Sequence, residues 1–292
     1  MNENRKVIID AGHGGPEPGA VYNGRKEKND TLRLAFDLGS ALERRGIQVS
    51  YTRVEDVYDT PYEKAAMGNQ SGADFFVSIH RNAMPVPGTG SGIENLVFSS
   101  SGTAGLLGKN IGRQLAAVGW TDLGVKERPG LVVLRRTKMP AVLVEAGFLD
   151  NEKDNAFFDA NLAATADAIA DGILETFEEL EAREEKEIER ILRELSAQCA
   201  DAMEYILLDY DMLVHLDMIF ARAQLSYTMN ASRPEVVRKG AISLKRARHP
   251  LLDQAKAVPV TVELGGDYDT LVITGPNTGG KTVTLKTLGL LC

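Results

Sequence analysis

The chain has 292 residues, 43% of them hydrophobic and 25% charged, with a net charge of −8. This composition fits one large globular domain or two medium ones, and it excludes a disordered chain. The acidic surplus is shared between the stretches before and after residue 177, so neither has the basic excess of an autonomous nucleic-acid binder.

Taken in order, the segment 6–177 alternates short apolar runs with helical patterns. The first run, "KVIID" (6–10), soon meets Asp10 and reads as a strand rather than a signal peptide. The chain is therefore expected to be synthesised in the cytoplasm without a signal peptide. A helix is expected from about Glu27 to Arg45, with Leu32, Leu34, Ala35, Leu38 and Leu42 mostly at helical spacing. "IQVSYTR" (47–53) reads as a strand. "TPYEK" then opens a second helix, with Thr60 as N-cap, Pro61 in the first turn and Glu63 closing a capping box. "DFFVSI" (74–79) and "IENLVFS" (93–99) read as strands, 103–118 as a helix, "LVVLR" (131–135) and "AVLVEAG" (141–147) as strands, and 155–177 as a helix. Strands alternating with helices predict an α/β fold with a mainly parallel sheet flanked by helices.

Near residue 178 the texture changes to "EELEAREEKEIERILRELSAQ", rich in helix formers with opposite charges at helical spacing. Ile188, Ile191, Leu192, Leu195 and Cys199 form an apolar stripe, which reads as the one packed face of a long solvated helix. Helical texture continues to about 229. "ISLKRARHPLL", "VPVTVEL" and "DTLVITG" read as extended or strand segments leading into a glycine-rich loop, with "DTLVITG" taken as the strand before it. The domains are expected at 1–177, 178–235 and 236–292. The two cysteines, Cys199 and Cys292, have no disulfide or zinc spacing, and no run approaches the roughly 20 apolar residues of a membrane span.

Chemistry-bearing residues gather at strand and helix ends. His13 lies in the turn "AGHGG" after the first strand, His80 follows "FFVSI", Glu145 follows "AVLV", and Glu27 opens the first long helix. In parallel sheets, sites form at the carboxyl ends of strands. His13, Glu27 and His80 suit the three protein ligands of a catalytic zinc, and Glu145 suits a general base. The residues alone leave other readings open. Each histidine could be a hydrogen-bonded loop residue, and Glu27 a carboxylate favoured by the helix dipole. Glu145 is the odder one, because an unpaired buried carboxylate is costly. His215 reads as a packed or half-exposed helix residue, and His249 has no metal role.

The motifs "IIDAGHGGPEPGA", "KEKND", "SIHRNA", "GIENLVF" and "PAVLVEAGFLDN", in that order over residues 5–177, resemble the zinc-dependent N-acetylmuramoyl-L-alanine amidases. The resemblance implies hydrolysis of the amide between N-acetylmuramic acid and L-alanine in peptidoglycan. It also implies His13, Glu27 and His80 as zinc ligands and Glu145 as the catalytic glutamate. Glu17 stands where aspartate is usual and Asp150 where a small polar residue is common; neither is expected to touch the site. The substrate is then the cell wall, reached by export or lysis.

Residues Gly275 to Thr282 fit the P-loop pattern, with Gly275, Asn277, Gly280, Lys281 and Thr282 placed to bind nucleotide. Lys281 would reach phosphate oxygens and Thr282 would hold magnesium. The segment 178–292 resembles an interior fragment of the MutS family, in its MutS-two branch, ending just after the P-loop. The expected structure is a mostly helical segment followed by a truncated P-loop α/β fragment. ATP with magnesium is the cofactor expected there, in a vestigial site that lacks the later acidic strand. DNA is a partner only under the alternative reading of a nucleotide-dependent DNA-processing protein. A wall peptidase using the same zinc site is a third reading. Joining these two pieces suggests a fusion, natural, engineered or produced by a misassembled reading frame.

Overall fold

A computed structural model describes residues 5–238, 240–276 and 280–292. It divides into two units, Met1–Leu192 and Arg193–Cys292. The first unit is built on a six-stranded sheet with strand order β4-β1-β5-β8-β6-β7. Its strands are β1 (Lys6–Ala11), β4 (Gln48–Tyr51), β5 (Phe75–Asn82), β6 (Ile93–Val97), β7 (Asp122–Glu127) and β8 (Ala141–Phe148). β4, β1, β5 and β8 run parallel. β6 lies antiparallel to β8, and β7 parallel to β6. A short hairpin, β2 (Val21–Tyr22) with β3 (Arg25–Lys26), precedes the first helix.

Period-two alternation decides which side chains meet which helices. Val7, Ile9, Phe75, Val77, Val142 and Val144 face one side of the sheet. There they pack on Leu34, Leu38 and Leu42 of α1 (Glu27–Arg44), on Leu107 and Ile111 of α3 (Gly102–Val118), and on Ile169 and Ile173 of α6 (Leu162–Asp201). Ile8, Phe76, Leu96 and Leu143 face the other side, with Met67 of α2 (Pro61–Ser71) and Val133 and Leu134 of α4 (Val132–Arg136). The α/β sandwich expected for this part is therefore present. The α2 capping box forms as read: Thr60 Oγ1 accepts from Glu63 N, and Glu63 Oε2 accepts from Thr60 N.

Four expectations change. "LVVLR" is not a strand; it supplies α4, because a four-residue turn ending at Leu131 aims the run across the sheet face, where Val133 and Leu134 bury. An apolar run this short carries no reliable period. The helix expected at 155–177 is two, α5 (Glu152–Ala160) and α6, divided at Asn161, whose backbone N–H caps Phe157. β7, "DLGVKE", is polar because it is an edge strand, and it was not foreseen. The fourth lies at the end of the chain: residues 269–274, "DTLVIT", form no strand, since among the described residues no partner strand pairs with them.

The second unit contains the end of α6, then α7 (Met203–Met229), the antiparallel pair β9 (Ile242–Ala247) and β10 (Val260–Leu264), and α8 (Lys281–Leu291). No residue of α7 is buried. The stripe Ile188, Ile191, Leu192 and Leu195 is exposed rather than packed, and so are Cys199 and His215. No described helix is long and apolar enough to cross a membrane.

Candidate active site

β1, β5 and β8 are neighbours, so their carboxyl ends deliver their loops to one place. His80 on β5 stands in register with Glu145 on β8. His13 lies in the turn just past β1 and holds a left-handed backbone, φ 62°, which is uncommon for a non-glycine residue. Glu27 opens α1 after the β2–β3 hairpin brings the chain back. The four residues proposed from strand ends are thus brought together around a cleft of about 390 Å³.

Glu27 sits between the two imidazoles. Its Oε1 meets His80 Nδ1 at 2.9 Å, and its Oε2 meets His13 Nε2 at 3.0 Å. The backbone N–H groups of Ala20 and Arg81 donate to the same carboxylate, at 2.8 and 3.0 Å. The rings of His13 and His80 cross edge to face with centroids 4.8 Å apart. Burial opposes ionisation of Glu27, but the bonds and charges of both histidines outweigh it and hold its pKa well below the usual range. His13 shifts the other way: burial pulls it down, and Glu27 with Glu17 more than restores it.

This arrangement fits a metal. One donor atom from each of His13, Glu27 and His80 falls within 4.8 Å of the others, and two imidazoles with one carboxylate are a zinc-type donor set. The surroundings leave no room for larger side chains. A Cβ at Gly12 would stand 2.5–2.8 Å from the His80 ring, and one at Gly19, φ 67°, would meet His13 and Glu27.

Glu17 corrects the sequence reading, which kept it away from the site. Its carboxylate bonds His13 Nδ1, the nitrogen facing away from Glu27. A carboxylate behind a ligating imidazole fixes the ring's tautomer and orientation. Its spacing, four residues after His13, was the available signal. Asp150 stays outside the cleft, accepting from Met84 N at 3.1 Å.

Glu145 lines the cleft, and its Oε2 is buried with no hydrogen-bond partner. Burial pushes its pKa up to about 7; His80 opposes this, while Glu27 and Glu94 add to it. Glu94 is its cross-strand partner on β6 and is bonded by Lys126 Nζ.

Beneath these groups lie supports that the sequence reading missed. Asp10 is fully buried and takes Lys64 Nζ at 2.9 Å, Thr52 Oγ1 at 2.7 Å and Ser78 Oγ at 2.7 Å. Arg81, next to His80, is also buried; it donates to Asp30 at 2.7 Å and to Asn155 at 2.8 Å, and lies 4.2 Å from the Phe158 ring centre. Burial lowers its pKa to about 10. The signal for both was a charged residue inside or beside an apolar strand.

The glycine-rich loop near residue 275 lies in the other unit. Gly275 and Gly280 have left-handed φ values of 137° and 81°. Lys281 and Thr282 begin α8, and Lys281 Nζ donates to the Gly275 carbonyl. Asn277 lies outside the described residues.

Known proteins share the fold of the first unit. An N-acetylmuramoyl-L-alanine amidase of Clostridium difficile 630 superposes with a TM-score of 0.57 at 31% identity, covering 61% of this chain and 98% of that one. The catalytic domain of the amidase CwlV from Bacillus (Paenibacillus) polymyxa var. colistinus does so with a TM-score of 0.55 at 32% identity, covering 60% and 98%. A separate segment of 113 residues is 55% identical to Endonuclease MutS2 of Caldanaerobacter subterraneus subsp. tengcongensis, covering 39% of this chain. Endonuclease MutS2 of Geobacillus thermodenitrificans matches at the same identity and length. The chain spans 14% of the length of these curated relatives. The family profile described as N-acetylmuramoyl-L-alanine amidase covers residues 7–175, more than half of the chain. The chain therefore belongs to the N-acetylmuramoyl-L-alanine amidase family.

Proposed function

We propose that this protein hydrolyses the amide between the lactyl group of N-acetylmuramic acid and L-alanine in peptidoglycan, in a zinc-dependent reaction at the cell wall. The observation that carries the reading is the meeting of His13, Glu27 and His80 beside a glutamate whose buried Oε2 has no partner. His13, Glu27 and His80 would hold the zinc, with Glu17 fixing the His13 ring. Bound zinc would polarise the scissile carbonyl and acidify a water. Glu145 has the unoccupied oxygen needed to take a proton from the attacking water and return it to the departing nitrogen of L-alanine. We place the catalytic domain at 1–177.

The test is digestion of purified cell wall. New N-terminal L-alanine should appear, disappear with a chelator and return with zinc, and Glu145→Gln should abolish it. Zinc-loaded protein that releases no N-terminal L-alanine refutes the reading. Mass spectrometry separates it from the peptidase reading, because only the amidase frees intact stem peptides from the sugar.

A second reading, nucleotide-dependent DNA processing, draws support from the 55% identity to Endonuclease MutS2 and from Lys281 opening α8 at a glycine turn. It requires ATP–magnesium affinity that Lys281→Ala removes. Equal, negligible binding by both proteins eliminates it.

A further inference from the structure

The cleft continues beyond its acid–base end. Two cross-strand pairs line its floor in succession, Glu94 opposite Glu145 and Leu96 opposite Leu143. Residues two apart on a strand share a face, so all four side chains point to the same side of the sheet. At the cleft on that side lies the turn Arg128-Pro129-Gly130-Leu131. Proline in its second position has the backbone angle such a turn needs. The Leu131 N–H donates to the Arg128 carbonyl at 3.1 Å, and the Arg128 N–H donates to the Val97 carbonyl at 2.8 Å. The main chain of Arg128 is thus tied on both sides, and Arg128 and Leu131 both line the cleft.

The cations around this cleft differ in what they face. Arg81 is committed to Asp30, and Lys126 to Glu94. Arg128 is exposed, and among the described residues no carboxylate lies at ion-pair distance from it. Its guanidinium makes one hydrogen bond, from Nη1 to the carbonyl of the adjacent Glu127 at 3.0 Å. Along the strand register from Glu145, the cleft lining passes the Leu96–Leu143 pair and, at Val97, reaches the turn that bears Leu131 and Arg128, so one cleft holds a carboxyl, an apolar patch and a guanidinium with open donors. A substrate matching that series carries a scissile amide, a small alkyl group and a carboxylate.

We propose that Arg128 is a specificity-determining residue that binds the α-carboxylate of the stem-peptide residue following L-alanine, while the alanine methyl lies against the leucines. This rests on the amidase reading. It predicts discrimination against stem peptides in which that carboxylate is amidated, since a carboxamide loses the charge-assisted, two-pronged bond that a guanidinium makes.

The experiment uses two synthetic muramoyl tripeptides, L-alanyl-γ-D-glutamyl-L-lysine with the glutamyl α-carboxylate either free or amidated. The zinc-loaded full chain should show kcat/KM about tenfold higher for the free carboxylate, with the difference in KM. Arg128→Gln should bring the two substrates within about twofold by raising KM for the carboxylate form, and Arg128→Lys should restore part of the gap. Calorimetry with the two released tripeptides should give the same order of affinity. Equal kcat/KM in the wild type, or an unchanged ratio in Arg128→Gln, overturns the subsite and leaves the amidase reading intact. If neither tripeptide is cleaved, the amidase reading fails and the subsite fails with it.

Discussion

Asp10 follows the apolar run Val7-Ile8-Ile9 near the carboxyl end of β1 and is buried beneath the cleft residues. It anchors Lys64, whose Nζ also donates to the Ala11 carbonyl at 2.7 Å, directly before the turn that carries His13. Burial alone would raise the Asp10 pKa; the charge and bonds of Lys64, with the bond from Ser78, outweigh it and hold the pKa below the usual aspartate range. A carboxylate depressed on folding stabilises the native state above its unfolded pKa, and that stability is lost as pH falls below it. The urea midpoint should therefore drop as pH falls from about 4 downward, and Asp10→Asn should remove that part of the drop. The same substitution should cost about 3 kcal/mol at pH 7, because it strands the Lys64 charge inside the protein. An identical acid profile in the variant would place the sensitive group elsewhere. At the cleft, Glu17→Ala should weaken zinc binding by about 10–100-fold in a chelator competition, since His13 loses the carboxylate behind its ring. The convergence of His13, Glu27, His80 and Glu145 on one cleft was legible, because the carboxyl ends of neighbouring parallel strands bring their loops together. Lys64 was not, because its partners Asp10 and Ala11 are distant in sequence; Glu17 and Arg81 left only weak local signals, a spacing of four from His13 and a charge beside an apolar strand.

Among the elements, α2 was the most readable. "TPYEK" spells a capping box, and both of its bonds are present. Thr60→Ala should cost about 1 kcal/mol in denaturant unfolding, and Thr60→Ser much less. An equal loss from both would show that the threonine methyl, rather than the cap, is the stabilising part. Long strands with β-branched runs were also legible. The failures share a cause. "LVVLR" and "DTLVIT" are short apolar runs whose state depends on what lies beside them: a sheet face and a preceding turn made the first a helix, and the second has no partner strand among the described residues. The polar edge strand β7 had no apolar period to detect. Its pairing with β6, which reverses direction relative to β8, is a tertiary property.

In the molecule as a whole, two kinds of surface coexist. The first unit buries its apolar residues on both faces of one sheet. In the second, α7 exposes Tyr205, Leu213, Ile219 and Phe220 among many others. Large exposed apolar patches mark association faces. The full chain should bind a hydrophobic dye strongly, and Leu213→Gln with Phe220→Gln should reduce the signal; a signal no higher than that of an ordinary folded domain would mean this face is covered in solution. The change of texture near residue 178 was visible in the sequence, as was the likeness of each part to a different family. What composition could not convey was that the apolar stripe after residue 188 remains exposed, because a helical period records which residues share a face and not whether anything meets that face. In the proposed function His13, Glu27 and His80 hold a zinc ion against which Glu145 works. The most direct measurement is the release of N-terminal L-alanine from purified cell wall by the full chain, with chelator, with zinc restored, and with Glu145→Gln. Release should stop on chelation, return with zinc, and be absent in Glu145→Gln despite unchanged zinc content. Release that survives complete zinc removal, or full activity in Glu145→Gln, would contradict it.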